Sequence, residues 1–244
     1  MKEYPVLNID SDLSDLSSRE GFIILIDKED EWSSFDVVKK LRYFTKVKKV
    51  GHAGTLDPFA TGLLVILFGK ATKTADNYSS QNKVYHCIVK LGSSTDSFDR
   101  TGSVTNTSEN IPDVNTVIDA INSFIGHQEQ LPPMFSAVKV NGKRLYKSAR
   151  EGIEVERKTR QITINSIVIY SVNGDTVEME VDCSKGTYIR SLANDIGEKL
   201  GCFAHLQELR RIRSGDFRIE DAFTVSELLD RIRDNRDISN YDNR

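Results

Sequence analysis

Two Asn-Gly pairs limit the topology of this chain most sharply. Asn141-Gly142 and Asn173-Gly174 each sit between strand-like runs. An Asn-Gly step in that setting is a strong short-range signal for a tight hairpin. After the second pair, Val177, Met179, Val181 and Cys183 alternate with Glu178, Glu180 and Asp182. That period of two turns one strand face inward. Residues 83–92 alternate in the same way, with Tyr85, Cys87, Val89 and Leu91 on one face and Val84, His86, Ile88 and Lys90 on the other. The runs Phe22–Ile26 and Leu63–Phe68 predict buried strands.

Helices fall between these strands without strict alternation. Ser33 or Ser34 caps a predicted helix whose apolar stripe is Val37, Val38, Leu41 and Phe44. Pro112 and Asp113 open another, with Val114, Val117, Ile118, Ile121, Phe124 and Ile125 inward and Gly126 as its stop. A third runs from about Tyr188 to Leu200 and closes at Gly201. Thr224 and Glu227 form a capping box ahead of Val225, Leu228, Leu229 and Ile232. Hairpins combined with scattered helices predict an α+β fold, one domain with a large mixed or mostly antiparallel sheet flanked by helices. Residues 1–20 read as a polar, partly disordered lead, 21–234 as the single domain, and 235–244 as a frayed polar tail.

Several chemistries are disfavoured. The apolar runs are too short to span a bilayer, and the acidic, polar N-terminus is no signal peptide. With no membrane association, a cytoplasmic protein is expected. Cys87, Cys183 and Cys202 are odd in number and form no C-x-x-C pair, so they read as reduced, small apolar core residues. P-loop, dinucleotide, zinc-protease and nucleophile-elbow motifs are absent, and the four histidines lack metal-ligand spacing. No cofactor and no metal are expected. The net charge of −3 is unevenly spread. Residues 39–49 carry Lys39, Lys40, Arg42, Lys46, Lys48 and Lys49 with no acid. Residues 139–160 carry eight cations against Glu151, Glu154 and Glu156. Such segregation can leave a basic face on an acidic protein, although solvated faces also look like this.

One segment combines glycines, a carboxylate and a basic approach: Gly51-His52-Ala53-Gly54-Thr55-Leu56-Asp57-Pro58-Phe59-Ala60-Thr61-Gly62. It reads as a loop. Its glycines let a backbone pass close to a bulky partner, and Pro58 biases Asp57 toward extended geometry. Taken alone, Asp-Pro is also a common way to start a turn.

The segment resembles the catalytic motif of the TruB-type pseudouridine synthases, the tRNA pseudouridine-55 synthase family, in the form G-H-x-G-x-L-D-P-x-A-T-G. Three further blocks are similar to that family in the same order: Lys83-Val84-Tyr85, Cys183-Ser184-Lys185-Gly186-Thr187-Tyr188-Ile189-Arg190, and Asp195-Ile196-Gly197-Glu198-Lys199-Leu200-Gly201-Cys202. The resemblance implies a pseudouridine synthase fold and an enzyme that isomerises one uridine in the T loop of tRNA by base flipping and C-glycoside formation. It implies that Asp57 is the catalytic aspartate, that Tyr85 stacks on the flipped uracil, and that Arg190 pairs with Asp57 and keeps it ionised. His52 would contact the RNA as the target nucleotide leaves the stack. Tyr188 and Leu209 would line the uridine pocket, with Leu209 read as a helix residue. The RNA-gripping insertion of the family falls at about 127–152, where Lys139, Lys143, Arg144, Lys147 and Arg150 would hold RNA backbone.

The implied partner is the tRNA T arm, met by a monomer that needs no protein partner. Two departures stand out. The roughly 25 residues after Phe217 are too few for the C-terminal PUA-type domain of many bacterial relatives. Asp27-Lys28 matches a family motif that usually continues Pro-x-Gly, and here Glu29-Asp30-Glu31 follows. A guide-dependent relative and an RNA-binding protein that has lost catalysis are the alternatives.

Overall fold

The computed structural model describes residues 3–135, 139–140, 143–144 and 155–241, with backbone alone for 139–140, 143–144 and 235–241. In chain order the elements are β1 (Val6–Leu7), β2 (Gly21–Lys28), α1 (Ser34–Thr45), β3 (Val50–Ala53), β4 (Thr61–Gly69), α2 (Ala75–Ser79), β5 (Lys83–Leu91), β6 (Ser93–Thr95), β7 (Val104–Thr107), α3 (Val114–Asn122), β8 (Gly126–Gln130), β9 (Lys139–Val140), β10 (Lys143–Arg144), β11 (Arg160–Asn173), β12 (Thr176–Cys183), α4 (Ile189–Leu200), β13 (Ala204–Ser214), β14 (Phe217–Arg218), β15 (Phe223–Thr224) and α5 (Val225–Tyr241). Strands pair mostly antiparallel, in agreement with the α+β expectation. The chain folds as two compact units, Met1–Lys83 with Arg210–Arg244, and Val84–Leu209.

In the first unit, β2 and β4 form a long antiparallel pair running from Gly21↔Gly69 to Lys28↔Gly62. Every apolar residue of both strands is buried, because helices or loops cover both sheet faces. Phe22 and Phe68 sit directly opposite and stack with ring centroids 4.5 Å apart. The helix α1 starts where expected. Ser33 caps it, accepting from the Asp36 N–H while Asp36 accepts from the Ser33 N–H. Such a cap is worth about 1 kcal/mol. The stripe Val37, Val38 and Leu41 is buried and Phe44 half-buried.

The 1–20 lead is better anchored than its composition suggests. Val6 and Leu7 pair in parallel with Ile23 and Ile24, and Leu7, Leu13 and Leu16 are buried. At the other end, the expected frayed tail is helical through Tyr241. The Thr224–Glu227 capping box starts this helix, and neither Gly nor Pro follows to stop it.

After Lys28 the chain turns through Glu31, which has φ 66. That left-handed conformation costs an L-residue roughly 1–2 kcal/mol and glycine nothing. Glu31 stands where the family pattern has its glycine. Glu31→Gly is therefore expected to raise stability by about 0.5–1 kcal/mol, net of the extra chain entropy. A higher urea midpoint at unchanged slope would show it; a lower midpoint would refute it.

In the second unit the strand order is β13-β5-β12-β11-β8. Cys87, Val89 and Leu91 of β5 and Val177, Met179, Val181 and Cys183 of β12 are buried, as their alternation predicts. All three cysteines are buried thiols outside any disulfide. β11 and β12 form the expected hairpin, but Asn173 pairs with Thr176, so the two-residue turn is Gly174-Asp175. Gly174 has φ 58 and Asp175 a negative φ, which places the glycine at the first turn position. The other hairpin pairs Val140 with Lys143 and brackets Asn141-Gly142 as predicted.

The helix α3 packs against α4 and β11. It is shorter than expected: it ends at Asn122, Val114 and Ile125 are exposed, and Gly126 begins β8. The apolar spacing runs on after the helical hydrogen bonds have stopped.

Candidate active site

Val50–Ala53 form β3, although the sequence places 51–53 in a loop, and pair His52 with Ile66 and Ala53 with Val65 of β4. A four-residue strand containing glycine carries little β signal of its own and is held by its neighbour. Gly54, at φ 87, then turns the chain away. Leu56 and Phe59 are buried and flank a half-exposed Asp57. The apolar pair roots the turn in the core.

The backbone of this turn is held almost atom by atom. The buried Arg211 guanidinium donates to the carbonyls of Gly54 (3.0 Å), Thr55 (3.5 Å) and Leu63 (2.7 Å). Ser34, at the start of α1, donates to the Leu56 carbonyl at 3.1 Å and accepts from the Leu56 N–H at 2.9 Å. The fully buried Lys28 ammonium donates to the carbonyls of Pro58 (3.1 Å), Trp32 (2.6 Å) and Glu29 (2.8 Å). The Ala60 N–H closes the turn on the Asp57 carbonyl at 3.1 Å. Every carbonyl from Gly54 to Pro58 thus accepts a hydrogen bond. Such a support fixes the position of Asp57 through its main chain.

The glycines make this packing possible. Arg211 lies beside Gly62 in the parallel β13–β4 register, and a Cβ on Gly62 would sit 2.8 Å from the Arg211 nitrogen. A Cβ on Gly54 would lie an ordinary 3.5 Å from the guanidinium, and there the φ of 87 is what calls for glycine. The close approach expected of a glycine here is made at Gly62 by the protein's own arginine.

The turn lies in a positive field. Lys28 interacts electrostatically with Asp57. Burial pushes the Lys28 pKa down to about 8, helped by Arg211 and opposed by Asp30 and Asp57, so the ammonium is charged at neutral pH. Burial, then the Arg211 charge, also lowers the pKa of His52. The imidazole is therefore neutral at pH 7, and its Nδ1 is buried without a hydrogen-bond partner among the described residues. Arg210 makes a two-pronged ion pair with Asp27, at 3.0 and 2.6 Å, tying the ends of β13 and β2 together.

The other expected site residues belong to the second unit. Tyr85 is the half-buried third residue of β5. Tyr188 is the N-cap residue of α4. Its N–H donates to Gln130 Oε1 at 2.8 Å and its carbonyl accepts from Gln130 Nε2 at 3.0 Å. Leu209 is buried in strand β13, not in the helix expected from sequence. The β-branched and aromatic signals that would mark a strand are sparse in its charged surroundings, Gln207-Glu208-Leu209-Arg210-Arg211.

Arg190 reads as a solvent-facing helix residue only if the motif is ignored; it is in fact 3% exposed. Its guanidinium lies 3.3 Å from Asp99 and donates to the carbonyls of Ser97 (3.0 Å) and Phe135 (2.8 Å). Asp99 does not stand out in the sequence. It is buried and accepts from Ser97 Oγ (2.8 Å) and the Thr101 N–H (2.9 Å). Its only sequence signal is the density of small polar residues in Ser93–Gly102. Lys139, Lys143 and Arg144 fall in β9 and β10, described as backbone alone, and Lys147 and Arg150 lie outside the described residues.

Residues 42–189 match the TruB family pseudouridylate synthase N-terminal domain, and residues 190–242 match the tRNA pseudouridylate synthase B C-terminal domain. A tRNA pseudouridine synthase B from Clostridium kluyveri is 49% identical over 84% of this chain and 71% of its own length. One from Chlamydia felis is 44% identical over 87% of this chain and 90% of its own. Among solved structures, a chain of a Cbf5-Nop10-Gar1 complex is similar with a TM-score of 0.69 and 30% identity, over 88% of this chain and 55% of that one. The present chain thus spans about half the length of that solved relative. On the matched domains and on relatives this close, the chain belongs to the TruB family of pseudouridylate synthases.

Proposed function

We propose that this pseudouridine synthase acts on tRNA, isomerising a T-loop uridine with Asp57 as its catalytic carboxylate and without a guide RNA or protein partner. The observation that carries the reading is the clamped Gly54–Pro58 turn, which holds the partly buried Asp57 on a rigid base. The reaction breaks the N1–C1′ bond, turns the base, and makes a C5–C1′ bond. The C5 proton leaves to water and N1 gains one, so atoms and electrons balance without any donor. A base inside folded RNA must first leave its stack, at a cost of a few kcal/mol that protein contacts offset. Asp57 would attack C1′, attack C6, or remove a sugar proton.

In this reading, Tyr85 stacks on the extruded uracil, Tyr188 and Leu209 bound its pocket, and His52, neutral and half-buried, meets the RNA. The cations Lys139, Lys143, Arg144, Lys147 and Arg150 hold T-arm phosphates. Tyr85→Ala is expected to lower turnover by about 10- to 100-fold, the range of one lost base–aromatic stack. Tyr85→Phe keeps the stacking face. Wild-type turnover in the Ala variant would return Tyr85 to the role of a packing residue on β5.

The test of the function is tritium release from a tRNA transcript carrying 5-tritiated uridine, with the protein alone. Release is expected, and it should vanish when the T-loop target uridine is replaced by cytidine. The likeness to a chain solved in complex with Nop10 and Gar1 favours a second reading, a guide-dependent enzyme. Release that requires added RNA or protein would support that one.

A further inference from the structure

The outer stripe of α1 is unlike the rest of the described surface. Only three aromatic side chains among the described residues are large, apolar and well exposed, and two lie here: Phe35 at 53% and Tyr43 at 68%. They alternate with cations. Phe35, Lys39 and Tyr43 are spaced i, i+4 and i+8 on one face of α1, and Lys46, its left-handed C-cap residue, continues the line. The stripe is about 16 Å long at helical rise. It lies opposite the buried Val37, Val38 and Leu41. Lys39 Nζ sits 5.1 Å from the Phe35 ring centre, and Lys46 Nζ 4.4 Å from that of Tyr43. Both are at cation–π range, which holds aromatic and cation as one unit. The nearest acid on the helix, Asp36, is engaged in the capping box.

The position of the stripe points to its occupant. Phe35 follows Ser34, whose hydroxyl is bonded to both backbone groups of Leu56, the residue before Asp57. The stripe therefore begins at the catalytic turn and leads away from it. At its far end Lys46 is followed by Lys48 and Lys49, which run into β3 and His52. From Lys39 to Lys49 there are six cations and no acid. Water-exposed aromatics interleaved with cations suit a strand that offers phosphates and at least one unpaired base. A duplex backbone would use only the cations.

We propose that the Phe35–Lys39–Tyr43–Lys46 stripe of α1 is a docking surface for the RNA chain flanking the target uridine, holding its phosphates with the lysines and an unpaired base on the aromatic rings. The inference rests on the reading of this protein as a tRNA pseudouridine synthase and adds a surface to it. The two residue types make separable contributions. Lysines act by counterion release, so removing one lysine that neutralises a phosphate lowers the salt slope of binding by roughly 0.7 on single-stranded RNA. Stacking is nearly indifferent to salt.

The test is a salt titration of binding to a T-arm stem-loop, with tritium release measured in parallel. Phe35→Ala combined with Tyr43→Ala is expected to weaken binding about tenfold at unchanged salt slope, with a matching rise in KM. Lys39→Ala with Lys46→Ala is expected to flatten the slope. Tyr43→Trp should bind at least as tightly as wild type. All four side chains point into solvent, and circular dichroism would confirm that the variants fold. Affinity and slope equal to wild type in both double variants would overturn the proposal. So would unchanged RNA affinity with an altered sedimentation mass in the aromatic variant, which would make the stripe a self-association surface. If wild-type protein neither bound tRNA nor released tritium, the functional reading itself would fall.

Discussion

Asp57→Asn is expected to remove turnover, by about 10⁴-fold or more, while fold and RNA binding persist. The structure gives the second half of this expectation its force. The turn that carries Asp57 is held by main-chain carbonyls: Gly54 and Thr55 by Arg211, Leu56 by Ser34, Pro58 by Lys28. An asparagine of the same shape leaves all of these in place. The change removes a negative charge from beside the buried Lys28 ammonium, which Asp57 helps to keep protonated. A modest loss of stability at neutral pH is therefore expected, far smaller than the kinetic effect. Single-turnover tritium release, a binding titration and a urea melt on the same preparation separate the three quantities. Turnover near wild type would remove Asp57 from the chemistry.

How far the sequence carries the reading depends on how local each signal is. Ser33 and Thr224 cap helices with their own neighbours, so both helix starts are legible. The Gly174 hairpin is legible for the same reason, to within one residue of register. The Gly54–Pro58 turn shows itself through the spacing of Gly54, Asp57 and Gly62, because each glycine answers to a conformation or a close approach. The supports of the turn do not. Arg211 is buried because carbonyls at Gly54, Thr55 and Leu63 converge on it from far along the chain. A charged side chain has no one-dimensional mark of such a site. Lys28 draws attention only through a two-residue motif, and Ser34 only as a possible cap, though it serves Leu56 instead. Leucines scattered through an acidic lead, Leu7, Leu13 and Leu16, likewise give no period from which burial could be read.

Arg190 shows the same limit from the other side, and its removal is expected to have the largest effect on stability. In the second unit Arg190 and Asp99 are both nearly fully buried, 3.3 Å apart. Taking out Arg190 leaves Asp99 as a buried charge that has lost its cation, at a cost of about 3–5 kcal/mol. Arg190→Ala also strips donors from the Ser97 and Phe135 carbonyls. The double variant Arg190→Met with Asp99→Leu removes both charges and fills part of the space. It should therefore be more stable than Arg190→Ala, since replacing a buried pair by apolar groups is often neutral or better. Urea melts of the two single variants and the double variant form a cycle, and a large coupling energy is the expected result. Strict additivity, or a loss under about 1 kcal/mol in Arg190→Ala, would refute the buried-pair account. The cycle also bears on function. If the double variant recovers stability and remains without turnover, the guanidinium is needed by the reaction itself. If turnover returns with stability, Arg190 acts by holding the Ser97–Thr101 loop and the start of α4 in place.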